Sequence, residues 1–314
     1  RARAVDGTRL VAADRNGRVA AVSADGRVLW QVDTANSGNE NGAPVASGGL
    51  VFSSGAVELV IIRGSNGQVI HRRSLSSVES HLFGRQVVAI GNTVYYPTDP
   101  EILALSTQDG SELRRLALSG DSKMSPAVWN GNLVLANQGG ELLVIAPNSG
   151  EEILRAATGI TQPIALRPLI AGRQALVVGR RGTAALVSLT TGQLLWETPL
   201  GGAAANGVFT TPVSDGGRGY IYAGNTIFAL DLASGQPAFA PLSGAAAPPQ
   251  VLGGRLYYPD SAGNLVVADA ASGRTLTTLA LPSPGTTRPG QAGELIALGT
   301  ASGQIVIIHP EGIR

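Results

Sequence analysis

Apolar and polar residues alternate in short runs along the whole chain, and these runs recur as a unit. Each unit contains a short apolar strand, a polar turn that ends in glycine, and a second strand of mixed character. The turn glycines recur at a mean spacing of about 41 residues. They are Gly26, Gly67, Gly110, Gly150, Gly192, Gly235, Gly273 and Gly312. Eight copies of one supersecondary unit therefore account for nearly the whole chain.

Two further strands precede this pair in each unit. The nearer one mostly follows a glycine-containing turn, and it covers residues 10–13, 50–53, 94–96, 133–136, 175–178, 220–222, 256–258 and 295–298. The other is a short segment of small residues, which in three units contains Pro44, Pro126 or Pro212 at its start. Four short strands with this period are typical of a propeller blade. We therefore predict an all-β fold, an eight-bladed β-propeller of four-stranded antiparallel blades with essentially no helix.

The first and the last of the eight units are not equivalent. The eighth unit reaches Arg314 just after its third strand and turn, and residues 1–5 are needed as the innermost strand of the first blade. We therefore predict that the last blade lacks its outer strand; the alternative is that a segment preceding Arg1 supplies it. No linker, charge run or change in composition interrupts the period, so residues 1–314 are predicted to form a single propeller domain.

Composition and charge exclude several classes of function. Hydrophobic residues make up 44% of the 314-residue chain, charged residues 14%, and the net charge is +1. So small a charge argues against binding to nucleic acid or to an anionic membrane surface. The chain has no cysteine, which excludes disulfides, thiolate metal sites and a cysteine nucleophile. No apolar stretch is long enough to span a bilayer. Because the chain begins without Met or a signal peptide, we expect a processed product or an excised domain. We also expect this domain to be a monomer.

The residues around the turn glycines resemble the repeat of pyrroloquinoline-quinone (PQQ) propellers, Ala-x-Asp-x-x-Thr/Ser-Gly-x-x-x-Trp. The sixth unit matches it best, with Ala229, Asp231, Ser234 and Gly235, and with Phe239 in place of the tryptophan. In this repeat the Asp and Ser cap the turn, the glycine supplies a positive φ, and the aromatic residue packs between blades. The predicted blade-docking residues are Trp30, Trp196 and Phe239.

The resemblance does not extend to the chemistry of the PQQ alcohol dehydrogenases. Those longer enzymes hold the quinone with a vicinal cysteine pair, a tryptophan platform and a calcium site. Here the cysteine pair cannot exist, and Trp129 is the one tryptophan without a blade-docking role. The three histidines, His71, His81 and His309, are not at zinc-binding spacing. We therefore expect no catalytic residues, no metal site and no cofactor. PQQ is the cofactor that the resemblance implies, although the motifs do not support its binding.

Loops that lead from one blade to the next converge on one face of a propeller, and function concentrates on such loops. The turn containing Arg180 and Arg181, between the second and third strands of a blade, opens on the same face. The polar residues of these loops either only contact solvent or bind a ligand or partner. The candidate binding residues are Asn39, Glu40, Asn41, Glu79, His81, Asp121, Lys123, Arg180, Arg181, Asn206 and Arg288.

Three functions compete. The chain resembles the family of the propeller lipoprotein of the bacterial outer-membrane β-barrel assembly machinery, which implies a non-catalytic scaffold that docks protein or peptide partners, for instance by strand addition. It also resembles the PQQ-like sensor domains of bacterial receptor serine/threonine kinases, which implies ligand sensing. A quinone-dependent dehydrogenase is the third hypothesis. The family resemblance implies a periplasmic or other extracytoplasmic location; the identity of the partner and what precedes Arg1 are left open.

Overall fold

Eight antiparallel sheets make up the fold. The computed structural model describes residues 2–5, 9–14, 16–36, 43–55, 57–74, 86–98, 101–118, 125–161, 167–208, 210–292 and 295–310, with the backbone alone at 2–5, 206 and 292. Within each sheet the strands follow one another in chain order, and each is antiparallel to its neighbour. The chain is thus an all-β, eight-bladed β-propeller, as the repeat predicts.

The blades are numbered in chain order. Blade 1 has β1 (Ala2–Val5), β2 (Arg9–Ala13), β3 (Arg18–Ser23) and β4 (Val28–Asp33); blade 2 has β5 (Val45–Ser47), β6 (Leu50–Ser54), β7 (Glu58–Arg63) and β8 (Val69–Ser74). Blade 3 has β9 (Val88–Ile90), β10 (Thr93–Pro97), β11 (Glu101–Ser106) and β12 (Glu112–Ala117); blade 4 has β13 (Ala127–Trp129), β14 (Asn132–Ala136), β15 (Glu141–Ile145) and β16 (Glu152–Ala157).

The second half continues the pattern. Blade 5 has β17 (Leu169–Ala171), β18 (Gln174–Val178), β19 (Thr183–Ser188) and β20 (Leu194–Pro199); blade 6 has β21 (Val213–Ser214), β22 (Arg218–Ala223), β23 (Thr226–Asp231) and β24 (Leu242–Ser243). Blade 7 has β25 (Gln250–Leu252), β26 (Arg255–Pro259), β27 (Asn264–Asp269) and β28 (Thr275–Ala280); blade 8 has β29 (Gly290–Ala292), β30 (Leu295–Gly299) and β31 (Ile305–Ile308).

The sequence predictions about strands are confirmed. Ala2–Val5 is the first strand of blade 1, and blade 8 has three strands. The short inner strands after Pro44, Pro126 and Pro212 each begin at the following residue, because proline has no N–H to donate to the ladder. Gly202–Asn206 forms a short 3₁₀ helix. None of the described helices is long and apolar enough to cross a membrane.

The residues group into two compact units. One contains Arg1–Leu116 and Thr287–Arg314, hence blades 8, 1, 2 and 3; the other, Ala117–Thr286, contains blades 4 to 7. Within each unit, apolar clusters lie between successive blades, and third strands such as β7 and β15 are buried on both faces. That burial explains why third strands are continuous apolar runs, whereas the outer strands alternate.

The outer strands share a β-bulge near their start. In blade 1 Val28 pairs with Val22 and Trp30 with Ala21, which leaves Leu29 without a partner. The same register shift occurs in the outer strands of blades 2, 4, 5 and 7. A bulge interrupts the row of hydrogen-bonding groups on an edge strand and so discourages pairing with another chain. These five outer edges are therefore protected.

Candidate interaction surface

Blade 1 docks on blade 2 through the last position of the repeat, which is occupied by Trp30. Trp30, on the outer strand of blade 1, is buried, and its indole Nε1–H donates to the Gly64 carbonyl of blade 2 at 2.8 Å. Its ring lies over Gly67, where a Cβ would be 2.7 Å from the Cβ of Trp30. Gly67 has a φ of +76°. The glycine is therefore required twice, for the left-handed backbone and for the approach of the ring.

The same contact recurs in blades 5 to 7. Trp196 donates its indole N–H to the Leu232 carbonyl at 2.9 Å and covers Gly235, and Phe239 covers Gly273. A Cβ at either glycine would be 2.6 Å from an aromatic carbon. The turn glycine and the aromatic residue of one repeat thus contact different blades. The aromatic residue reaches forward to the glycine of the next unit.

The acidic residue of the repeat caps its own turn. Asp231 accepts from the Ser234 hydroxyl at 2.7 Å and from its amide at 2.9 Å, and Asp269 does the same with Ser272 at 2.6 and 2.8 Å. Hydrogen bonds from Ser234 and Ser272 hold the pKa of these exposed carboxyl groups below their usual value. The aspartates therefore remain ionised at neutral pH and cap their turns.

On the opposite edge of four blades, the turn between the second and third strands anchors the chain that leaves the blade. In blades 1, 4, 5 and 7 a glycine carbonyl in this turn accepts from the amide that follows the outer strand; the glycines are Gly17, Gly140, Gly182 and Gly263. At Gly140 a Cβ would collide with the Ile160 carbonyl oxygen. Loops between blades therefore start from fixed points, which suits a face that presents loops to a partner.

Blades 1 and 2 are joined on this face by a buried polar cluster. The Asn36 side chain accepts from the amides of Val57 and Glu58 at 3.1 and 3.0 Å and donates to the Glu58 carbonyl at 2.9 Å. The Glu58 carboxylate accepts from the Ala35 amide at 2.6 Å and pairs with Arg72 at 2.7 Å. Asn36 and Glu58 are 1% and 6% exposed. Both residues are therefore internal to the scaffold.

We expect Asn36→Ala to lower the free energy of unfolding by about 1–3 kcal/mol, because buried amides of the Gly55–Glu58 turn lose their acceptor. Asn16→Ala is the matched control, since the side chain of Asn16 is exposed and we expect a change within about 0.5 kcal/mol. Urea titration of both variants measures the difference. Equal stabilities would contradict the structural role given to Asn36.

Sequence analysis did not find this cluster, although a signal was present. A glutamate that starts the third strand is followed fourteen residues later by an arginine in three consecutive units: Glu58 and Arg72, Glu101 and Arg115, Glu141 and Arg155. All three pairs are ion pairs, at 2.7, 3.1 and 2.5 Å.

Hydrogen bonds from Arg115, and then from Arg73 of blade 2, lower the pKa of Glu112. The arginines therefore tie outer strands to third strands and to the neighbouring blade.

The candidate residues that the structure describes fall in two places. Arg180 and Arg181 lie in the turn between β18 and β19, and the Arg180 carbonyl accepts from the Val208 amide at 2.9 Å. Asn206 ends the 3₁₀ helix in that same segment, so these three residues belong to one loop cluster of blades 5 and 6. Arg180 is partly buried and Arg181 exposed. Arg288 lies in the other unit, before β29, and is partly buried.

The remaining candidates are Asn39, Glu40, Asn41, Glu79, His81, Asp121 and Lys123, which lie outside the described residues. Trp129 packs against the apolar cluster between blades 4 and 5. Among the residues that the structure describes, no three His, Asp or Glu side chains are grouped closely enough to hold a metal ion. In the described part of blade 5, the turn between β18 and β19 places Arg181 at the surface, with Arg180 partly buried beside it.

A fold of eight blades with PQQ-like repeats and blade-to-blade aromatic contacts defines the class of PQQ-like propellers. Within that class the chain belongs to the family described as outer membrane protein assembly factor BamB, whose model matches residues 1–96, 81–278 and 180–312. Comparison with curated proteins finds no match.

Solved structures share the architecture. The crystal structure of BamB from Moraxella catarrhalis has a TM-score of 0.76 and 13% identity over 98% of this chain and 95% of that chain. The computationally designed Ika8 protein has the same TM-score of 0.76, with 17% identity over 98% and 94% of the two chains. At these identities the likeness establishes the fold, and a designed protein shares it equally well. Function therefore has to be inferred from family and surface.

Proposed function

We propose that this chain is a non-catalytic scaffold that binds protein partners outside the cytoplasm during the assembly of outer-membrane proteins. The single observation that carries the proposal is the match to the outer-membrane assembly factor family along nearly the whole sequence. The architecture supports it, because turns and loop origins on one face are held by backbone hydrogen bonds and by the Asn36–Glu58 cluster. A preorganised surface loses little entropy when it binds.

The partner surface is proposed to include the loop cluster of blades 5 and 6. Arg181 is exposed there, next to the partly buried Arg180. An arginine fork binds carboxylates and backbone carbonyls with defined geometry, which suits a protein partner. No cofactor takes part in this function, and neither PQQ nor calcium is expected to bind.

A deletion experiment tests the proposal. Removing the gene from its source organism should lower the amount of folded β-barrel protein in the outer membrane, and the plasmid-borne gene should restore it. Arg181→Glu should restore less, whereas Arg173→Glu, an exposed residue at the opposite edge of the same blade, should restore fully. An unchanged level of folded barrels in the deletion strain would refute the assembly role.

A binding experiment separates the scaffold from the two alternatives. A specific ligand at 100 times its dissociation constant raises the free energy of unfolding by about 2.7 kcal/mol. We expect no shift in the thermal midpoint with PQQ and calcium at millimolar concentration. A reproducible rise would instead support the sensor, and dye reduction with alcohols or sugars in the same mixture would support the dehydrogenase.

A further inference from the structure

A polar cavity of about 480 Å³ lies between blades 2 and 3. It is formed where the turns between first and second strands meet the turns between third and fourth strands. Five polar side chains line it: Arg63 and Ser65 from blade 2, and Asn92, Thr107 and Gln108 from blade 3. All the lining residues belong to one compact unit. Cavities of this size are typical of sites for small ligands.

Arg63 occupies the position of the repeat that elsewhere caps the turn after the third strand. The corresponding residues that accept a hydrogen bond within their own turn are Ser23, Ser106, Ser188, Asp231 and Asp269. An arginine side chain has no acceptor and cannot take this role. The Nε–H of Arg63 donates to the Gln68 side chain at 3.4 Å, and Arg63 forms no ion pair with any residue that the structure describes. A cation therefore replaces a cap at the wall of the cavity.

Thr107 is a second departure from the repeat. It is 4% exposed, yet its hydroxyl makes no hydrogen bond with a described residue. The corresponding residues of the other seven blades all lack a polar side chain; they are Ala24, Gly64, Pro147, Leu189, Leu232, Ala270 and Pro310. Burial of a hydroxyl without a partner costs free energy. Since seven blades form without a hydroxyl at this position, the blade itself does not explain why Thr107 has one.

Hydrogen bonds between turns fix the backbone around the cavity. In blade 2 the Gly64 amide donates to the Gly49 carbonyl at 2.8 Å, and in blade 3 the Thr107 amide donates to the Asn92 carbonyl at 2.9 Å. Gly48 of blade 2 faces Thr107, because a Cβ there would be 3.1 Å from the threonine Cβ and 3.2 Å from its Oγ1. The absence of a side chain at Gly48 leaves room beside the hydroxyl. A cavity with a fixed backbone loses little entropy when a ligand binds.

We propose that this cavity, the blade 2–3 site, binds a small polar monocarboxylate. The Arg63 guanidinium pairs with the carboxylate. The Thr107 hydroxyl and the side-chain amides of Asn92 and Gln108 form hydrogen bonds with the polar groups of the ligand. No acidic side chain is among the described residues that line the cavity, so none repels an anion. One cation matches one carboxylate better than it matches a phosphate dianion or the three carboxylates of PQQ.

The blade 2–3 site is separate from the buried polar cluster of blades 1 and 2. Strand β7 begins at Glu58, in that cluster, and ends at Arg63, in the cavity wall. The two features therefore lie at opposite edges of blade 2. The proposal goes beyond the scaffold function, because it assigns a small ligand to an edge from which the loops between blades do not leave.

Two monocarboxylates serve as probes, each with a neutral analogue. D-gluconate represents a free hydroxy acid and is compared with D-glucitol; N-acetylglycine represents the C-terminus of a peptide and is compared with N-acetylglycinamide. Nuclear magnetic resonance of the purified 314-residue chain follows the amides of Gly48, Gly49 and Thr107. We expect at least one acid to give saturable shifts with a dissociation constant of about 1 mM or tighter, and its neutral analogue to bind at least about tenfold more weakly. The acid that binds identifies the source of the carboxylate.

Arg63→Gln tests the cation of the site. It should weaken binding of that acid about tenfold or more, because the charge-assisted pair is lost. Arg274→Gln is the matched control and should bind as the wild type does. Arg274 is exposed in the corresponding turn of blade 7, and its replacement removes the same charge. Equal weakening by the two variants would show a general effect of net charge and would overturn the proposal.

Thr107→Val tests the hydroxyl. Valine keeps a similar shape and removes a buried hydroxyl without a described partner, so we expect an unchanged or raised thermal midpoint. Binding of the acid should nevertheless weaken about threefold or more. A hydroxyl that serves only the fold would give the opposite result, a lower midpoint with an unchanged dissociation constant, and that result would contradict the proposal.

Two further outcomes are decisive. Absence of saturable shifts with both acids at tens of millimolar overturns the proposal. Tighter binding of inorganic phosphate than of either acid also overturns it, since a dianion would then be the preferred ligand. Binding is measured on the purified chain, so an unchanged level of folded barrels in the deletion strain would remove the scaffold function and leave the blade 2–3 site in place.

Discussion

Trp30→Ala should lower the free energy of unfolding by about 3–5 kcal/mol, the cost of removing a large buried aromatic side chain. Trp30 is 7% exposed and packs among residues of blades 1 and 2, including Val51, Val60 and Ile62. Its removal opens a cavity between the two blades and leaves the Gly64 carbonyl without its indole donor. Denaturant titration, or the shift of the thermal midpoint, measures the loss.

Trp30→Phe is the matched control for that experiment. Phenylalanine keeps a ring over Gly67 but has no N–H to donate, so it should cost about 1 kcal/mol for the hydrogen bond, plus the smaller ring volume. Phe239 shows that a ring without an N–H is accepted at this position, over Gly273. If alanine and phenylalanine proved equally damaging, the hydrogen bond and not the packing would dominate the contact.

Gly235→Ala should lower the free energy of unfolding by about 2–5 kcal/mol, from two additive causes. A left-handed backbone, here with a φ of +72°, costs an alanine about 1–2 kcal/mol. The new methyl carbon would also lie 2.6 Å from the Trp196 ring, and relieving that overlap costs about 1–3 kcal/mol. Denaturant titration reports the sum, and the fluorescence of Trp196 reports displacement of the ring.

Gly253→Ala separates the two causes. Gly253 has a φ of +56° and no described atom within 4 Å of its Cβ position, and it belongs to the same compact unit. It should therefore show the backbone cost of about 1–2 kcal/mol and no more. The difference between the two variants is the contribution of the blade-to-blade contact. A Gly235→Ala variant no less stable than Gly253→Ala would show that the Trp196 ring moves aside freely.

The number and type of strands follow from local sequence signals. A strand alternates or is wholly apolar according to whether one or both of its faces are buried, and glycine marks turns that need a positive φ. Both signals act over a few residues, so the predicted second strands match the observed ones to within one or two residues, as at 94–96 against Thr93–Pro97. The missing outer strand of blade 8 follows from the same counting.

The roles of the polar residues could not be predicted from local sequence signals. Asn36 and Glu58 have the composition of a solvent-facing loop, yet the fold buries both and pairs them across 22 residues of sequence. Arg180, Arg181 and Asn206 belong to separate stretches of sequence, and only the turn at β18–β19 and the following 3₁₀ segment bring them into one cluster. Whether a polar residue is internal or available to a partner depends on neighbours that no local pattern reports.

By itself, then, the sequence determined eight sheets, their strand order, the turns that need glycine and the incomplete last blade. Tertiary structure alone decided which residues meet: Trp30 with Gly64 and Gly67, Trp196 with Leu232 and Gly235, and nothing among the described residues with Gly26. Strands and turns are set by interactions within a few residues. These aromatic contacts between blades join residues more than thirty positions apart, and they form only where packing brings one blade against the next.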